Sequence, residues 1–145
     1  MNKRVSLALI VGCMLSGAAA AQTGQELFTA NCSGCHGADA HGIEGLAPSL
    51  HNPDLWTKLG AHRDNYIAGV VTGGMSGKIE SLGKTYQGFA MPPQSFLSSA
   101  DLVQITHYII DDVNQLKGGP SEALIDQYKQ KPLTHGELHK LRSGG

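Results

Sequence analysis

Two cysteines three positions apart, with a histidine directly behind them, are the residues of this chain best placed to do chemistry: Cys32-Ser33-Gly34-Cys35-His36. On one tight helical turn, two thiols at this spacing can each add to one vinyl group of the same porphyrin. The histidine that follows then lies beneath the ring, where its imidazole can coordinate iron. C-x-x-C-H is the attachment pattern of c-type haem. A dithiol redox pair would want an alternating strand–helix pattern around it, which this chain lacks. A zinc site would want a second Cys or His pair at matching spacing, and the third cysteine, Cys13, falls in a segment that reads as a leader. The spacing points to covalent haem.

The rest of the chain must position those five residues. A length of 145 residues suits one domain. With 41% apolar and 16% charged residues and a mean hydropathy of −0.14, the chain is neither a disordered polyampholyte nor an integral membrane protein. Nineteen glycines without a Gly-X-Y repeat imply a loop-rich body that closes around something. Met1-Asn2-Lys3-Arg4, the apolar run from Val5 to Leu15 and the alanines at 18–21 have the form of a secretory signal, cleaved near Ala20 or Ala21. Ile10-Val11-Gly12-Cys13 also resembles a lipobox, which would leave a lipid anchor on Cys13; the apolar stretch before it is short for that, and signal cleavage is the reading kept. The mature chain is thus expected in the periplasm, with no transmembrane segment.

Thr23-Gly24-Gln25-Glu26 is a capping box, so a helix should run over residues 24–31, with Leu27 and Phe28 on its apolar side. Tyr66, Ile67, Val70 and Val71 recur at helical spacing and predict a second helix over 63–71, stopped by Gly73-Gly74. Ser98 or Ser99 should cap a third over 100–113, striped by Leu102, Ile105, Ile109 and Val113. No run alternates long enough to predict a strand. The expected class is all-α, about three main helices and glycine-rich loops around one covalent haem.

In this order the motifs resemble the monohaem class I cytochromes c of bacteria. Gly24-Gln25-Glu26-Leu27-Phe28 precedes the attachment motif, and Gly45-Leu46-Ala47-Pro48-Ser49-Leu50, Met91-Pro92-Pro93 and the helix leading to Tyr108-Ile109 follow it. The resemblance covers about residues 24–113. It implies that the first and last helices cross with Gly24 and Phe28 meeting Tyr108. It also implies that the Pro48 carbonyl accepts the Nδ1 proton of His36, orienting the ligand. Leu50 would line the haem wall, and Asn52, Trp56 and Tyr66 would be candidates to hydrogen-bond the haem propionates, Trp56 foremost. The cofactor-binding set is therefore Cys32, Cys35, Phe28, Pro48, Leu50, Trp56 and Tyr66, with His36 as the proximal metal ligand.

Two methionines outside the leader compete for the opposite side of the iron. Met91 is clamped by Pro92-Pro93 shortly before the last helix, where class I cytochromes c carry their axial methionine. Met75 sits in the flexible-looking Gly73-Gly74-Met75-Ser76-Gly77. Met91 is the expected ligand. His135 and His139, four apart on a short predicted helix, have a metal-binding spacing, but no third ligand is evident and a solvated face is the plainer reading.

Residues 1–21 are thus read as the removed signal, 22–117 as the cytochrome domain and 118–145 as a C-terminal extension. The domain holds five Lys/Arg against nine Asp/Glu, the extension four against three. Ser121 and the capping box Thr134-His135-Gly136-Glu137 predict two short helices there. With packing expected to be complete by Val113, Leu124, Ile125, Tyr128, Leu138 and Leu141 would face outward as a docking arm for a partner. The function these observations imply is one-electron transfer between a dehydrogenase donor and an oxidase or cytochrome acceptor, with no catalysis by the chain itself and no nucleic-acid partner. A haem subunit permanently held by a dehydrogenase is the alternative. A haem enzyme or gas sensor would require a displaceable sixth ligand.

Overall fold

Thr23 starts the first helix in the way its capping box requires. Its hydroxyl accepts from the Glu26 backbone N–H while the Glu26 carboxylate accepts from the Thr23 backbone N–H at 2.8 Å. The structure is a computed structural model and describes residues 21–144. The predicted leader, Ala21 apart, and the lipobox cysteine Cys13 lie outside the described residues.

The elements run α1 (Gly24–Asn31), α2 (Ser33–His36), α3 (Pro53–Lys58), a 3-10 turn (Gly60–His62) and α4 (Arg63–Gly73). A hairpin of β1 (Ile79–Ser81) and β2 (Lys84–Tyr86) comes next, then α5 (Ser99–His107) with a π-helical turn over Tyr108–Val113, α6 (Glu122–Gln130) and α7 (His135–Ser143). The fold is mostly helical, as expected. Three pieces were not anticipated. The hairpin pairs Ile79 with Tyr86 and Ser81 with Lys84, strands too short to leave an alternating pattern. Helix α3 starts where Asn52 Oδ1 accepts from the Leu55 N–H and Pro53 takes the first turn. The predicted third helix keeps its Ser98 cap, but its last six residues widen into a π turn. No helix among the described residues is long and apolar enough to cross a membrane.

Helix α1 crosses α5 at close range. A Cβ on Gly24 would run into the Gln104 carbonyl oxygen and stand 2.9 Å from Tyr108 Cβ, so only glycine allows the approach. The Phe28 and Tyr108 rings then meet with centroids 5.5 Å apart and planes at 49°, the crossing that the resemblance implied.

The extension departs from its expectation. Helix α6 packs on α4 and α5, and α7 packs on α4. Ile125 and Leu138 are wholly buried and Tyr128 nearly so, within this chain's own core. Pro120 is buried as well, and the Arg63 guanidinium donates to the Lys117 carbonyl at 2.9 Å, so the predicted linker is pinned down. Gly69 on α4 makes room for the seat of α7: a Cβ there would lie 2.8 Å from Leu138 and 2.9 Å from Leu133. Packing is therefore not complete at Val113. Most of the apolar face assigned to a docking arm is already covered, with Leu124 and Leu141 left half-buried, and burying two full aliphatic side chains internally is worth several kcal/mol that solvent exposure would forfeit.

Candidate haem site

Beneath α5 lies a cleft lined by Cys32, Cys35 and His36 from α2 and its N-cap, Pro48 and Leu50 from the following loop, Trp56 from α3 and Tyr66 from α4. Met75, Met91, both strands of the hairpin and Arg142 of α7 complete its wall. The cleft is mainly apolar, with Leu55, Ile67, Val70, Leu102, Ile105 and Ile109 among its lining side chains.

Helix α2 is a single turn, held by Cys35 N and His36 N donating to the Cys32 carbonyl at 3.2 and 3.0 Å. That turn brings both cysteines to the cleft, and neither is in a disulfide. Burial pushes the Cys32 thiol up to about 11, with Cys35 adding to the shift. His36 is buried, and its Nδ1 donates to the Pro48 carbonyl at 3.1 Å, which leaves Nε2 as the ring nitrogen available to the cleft. Burial lowers the His36 pKa, opposed by that hydrogen bond, and so favours the neutral imidazole that can bind a metal.

The two methionines form one structural unit. Met75 N donates to Met91 O at 3.0 Å and Met91 N to Met75 O at 2.8 Å, an isolated antiparallel bridge. Directly opposed residues of such a pair project to the same side, and both methionines line the cleft. The Met75 segment is thus held rather than loose. His139 Nε2 donates to the Ser76 carbonyl at 2.8 Å and His135 Nδ1 bonds the Ser76 hydroxyl, so these histidines fasten α7 to that segment, His139 half-buried and His135 still exposed. Met75 is 7% exposed and belongs to the apolar core; Met91 is half-buried beside it. Among the described residues, no three His, Cys, Asp or Glu side chains converge so as to hold a metal ion by themselves.

Other expected pocket residues are partly reassigned. Phe28 is fully buried against Tyr108 and does not line the cleft. Trp56 does, and its indole N–H donates to the Leu50 carbonyl at 2.9 Å. Asn52 caps α3 and lies outside the lining. Tyr66 lines the cleft, and its hydroxyl accepts from Arg142 Nη1 at 2.9 Å. Two residues were missed. Asn114 is buried at the end of the π turn and ties the cleft together: Nδ2 donates to Leu50 O at 2.9 Å and Ile109 O at 2.7 Å, while Oδ1 accepts from Asn52 N at 2.8 Å. Arg142 was missed because nothing near it in sequence signals the cleft.

The donor set fits a covalently attached tetrapyrrole: two cysteines on one helical turn, an oriented buried imidazole, a held thioether and an apolar enclosure. Comparisons with known proteins agree. Residues 21–111 match the model of the Cytochrome c family. The chain is 30% identical to a cytochrome c-552 of Thermus thermophilus over 97% of its own length and 87% of that protein's. It is 31% identical over 72% of its length to the Cbb3-type cytochrome c oxidase subunit CcoP of Rubrivivax gelatinosus, of which it covers 28%. The chain belongs to the cytochrome c family, as a class I monohaem member whose cofactor is haem c.

Proposed function

We propose that this haem electron carrier binds its cofactor through thioethers at Cys32 and Cys35, with His36 and Met91 as the axial ligands. Its partners would be a periplasmic dehydrogenase as donor and an oxidase or another cytochrome as acceptor. The observation that carries the reading is that Cys32, Cys35, His36 and Met91 line one apolar cleft. When bound there, the iron supplies reversible one-electron exchange between Fe(III) and Fe(II).

The protein's residues supply the rest. Pro48 fixes the tautomer and orientation of His36 and strengthens the imidazole as a donor. Pro92 and Pro93 stiffen the backbone behind Met91, and the bridge to Met75 fixes its height in the cleft, so little ordering is needed at the sulfur. The apolar wall excludes water and disfavours the extra positive charge of the ferric state, which raises the reduction potential. Phe89, 62% exposed, lines the cleft beside Met91, and Phe96 is also exposed. This rim suits the small, short-lived contact of an electron-transfer encounter. Export by the N-terminal leader would bring the chain to the compartment of those partners. Likeness to an oxidase subunit favours a second reading, a haem module fixed in a respiratory complex.

Denaturing gel electrophoresis of the holoprotein with haem staining tests the attachment. Haem should stay with the wild-type chain, and Cys35→Ala should lose most of it. Extraction of haem from the wild type by acidified organic solvent would refute covalent attachment.

A further inference from the structure

Resting on the reading of Met91 as the axial ligand, we propose that His139 is a positioning residue for that ligand. It stands on the C-terminal extension, holds the strand against which Met91 is registered, and so sets how readily the sulfur leaves the iron. The chain of contacts is short. His139 Nε2 donates to the Ser76 carbonyl at 2.8 Å, Ser76 directly follows Met75, and Met75 exchanges both backbone hydrogen bonds with Met91 at 3.0 and 2.8 Å.

In an extended segment the backbone groups of successive residues point to opposite edges. Met75 uses its pair on Met91, so the Ser76 carbonyl turns to the other edge, where the half-buried His139 ring takes the place of a pairing strand. A carbonyl can only accept, so Nε2 carries the proton whether the ring is neutral or charged. The segment needs this support. Gly74 at φ +75 and Gly77 at φ +96 bracket it, and glycine has the most backbone freedom to lose on ordering. The same two glycines let both partners close in. A Cβ on Gly74 would collide with the Met91 carbonyl oxygen, and one on Gly77 would lie 2.7 Å from His139 Nε2. Gly88, Phe89 and Ala90, which lead into Met91, are exposed, so the bridge to Met75 is what fixes the approach to the ligand.

Helix α7 is a firm base for the ring. Leu138, the preceding residue, is fully buried, and the Thr134 capping box closes the start of the helix. His135, one turn earlier, bonds the Ser76 hydroxyl, so the same residue is held through its side chain as well.

The test is the rate at which added imidazole replaces the thioether in the ferric holoprotein, read as loss of the weak red band of the iron–thioether bond. Amide hydrogen exchange at Met75 and Met91 is measured alongside. His139→Leu keeps the bulk and loses the donor, and both readings should rise about fivefold, the worth of one hydrogen bond. His139→Gln retains an N–H and should stay within about twofold of the wild type. Gly77→Ala displaces the ring from the strand side and should raise both readings with α7 unaltered. Thr23→Ala, which weakens a cap at the opposite end of the chain, should leave the imidazole rate where it was. An unmoved rate in either His139→Leu or Gly77→Ala would overturn the proposal. Equal increases in the leucine and glutamine variants, or in Thr23→Ala, would overturn it too, since bulk or global stability would then be at work. A wild type without the red band would overturn the Met91 reading and this one with it, whereas a banded wild type with an unmoved leucine variant overturns the positioning alone.

Discussion

The first and last helices begin alike and bring opposite things to the same cleft. Thr23 with Glu26 and Thr134 with Glu137 form the same reciprocal cap, and each precedes residues buried in the core, Leu27 and Phe28 in one and Leu138 in the other. Helix α1 leads directly into Cys32, Cys35 and His36. Helix α7 brings no metal ligand. It brings Leu138 against Gly69, two histidines on Ser76 and a guanidinium on Tyr66. The difference shows how a site can be divided: bond-forming groups cluster in sequence because attachment needs a fixed spacing, while charge and closure can arrive from any element that packs nearby.

That division can be broken most forcefully at Leu138. If α7 is part of the core, Leu138→Ala should destabilise the holoprotein by about 2–5 kcal/mol in denaturant unfolding, because a filled site between α4 and α7 becomes a cavity. A loss under about 0.5 kcal/mol would return the extension to the role of a dispensable arm. The caps sharpen the comparison on a smaller scale. Thr23→Ala and Thr134→Ala should each cost about 1 kcal/mol, and by similar amounts, if both helices are integral to one cooperative unit. A cap at α7 whose loss is silent in global unfolding would mean that α7 opens on its own.

Acid should act on both ends in parallel. Backbone hydrogen bonding from Thr23 holds Glu26 below the usual carboxylate range, and Thr134 does the same for Glu137. A folded-state pKa below the unfolded one means stability present above the unfolded value and lost as pH falls through the folded value. Melting temperature should therefore decline below about pH 4, and Glu26→Gln with Glu137→Gln should flatten that decline. An unchanged acid limb in the double variant would mean that other carboxylates govern it.

Legibility in the sequence divides along the same line. The attachment motif, both capping boxes and the Gly24–Phe28–Tyr108 crossing involve short spacings or one strong steric demand. The hairpin escaped because three-residue strands carry no usable period, and α3 because its six residues depend on one Asn-Pro start. The docking arm was a misreading with a clear source: an amphipathic helix shows that it has an apolar face, not which surface will cover it. Gly69 and Leu133, which meet that face, do not announce themselves as its seat. Trp56 was given a propionate because a buried indole needs an acceptor; it has one, the Leu50 carbonyl six residues away. Arg142 lies 76 positions from the tyrosine it touches, and no local pattern could pair them.

The central claim is that a cleft walled by both ends of the chain holds an iron between His36 and Met91, with Met75 beside it as packing. The most direct measurement is the weak red absorption band that an iron–thioether bond gives in the oxidised holoprotein, compared among the wild type, Met91→Leu and Met75→Leu. A band kept in the wild type and Met75→Leu and absent from Met91→Leu is the expected result. A band that survives in Met91→Leu and vanishes in Met75→Leu would contradict it and move the sixth ligand to the other strand of the bridge.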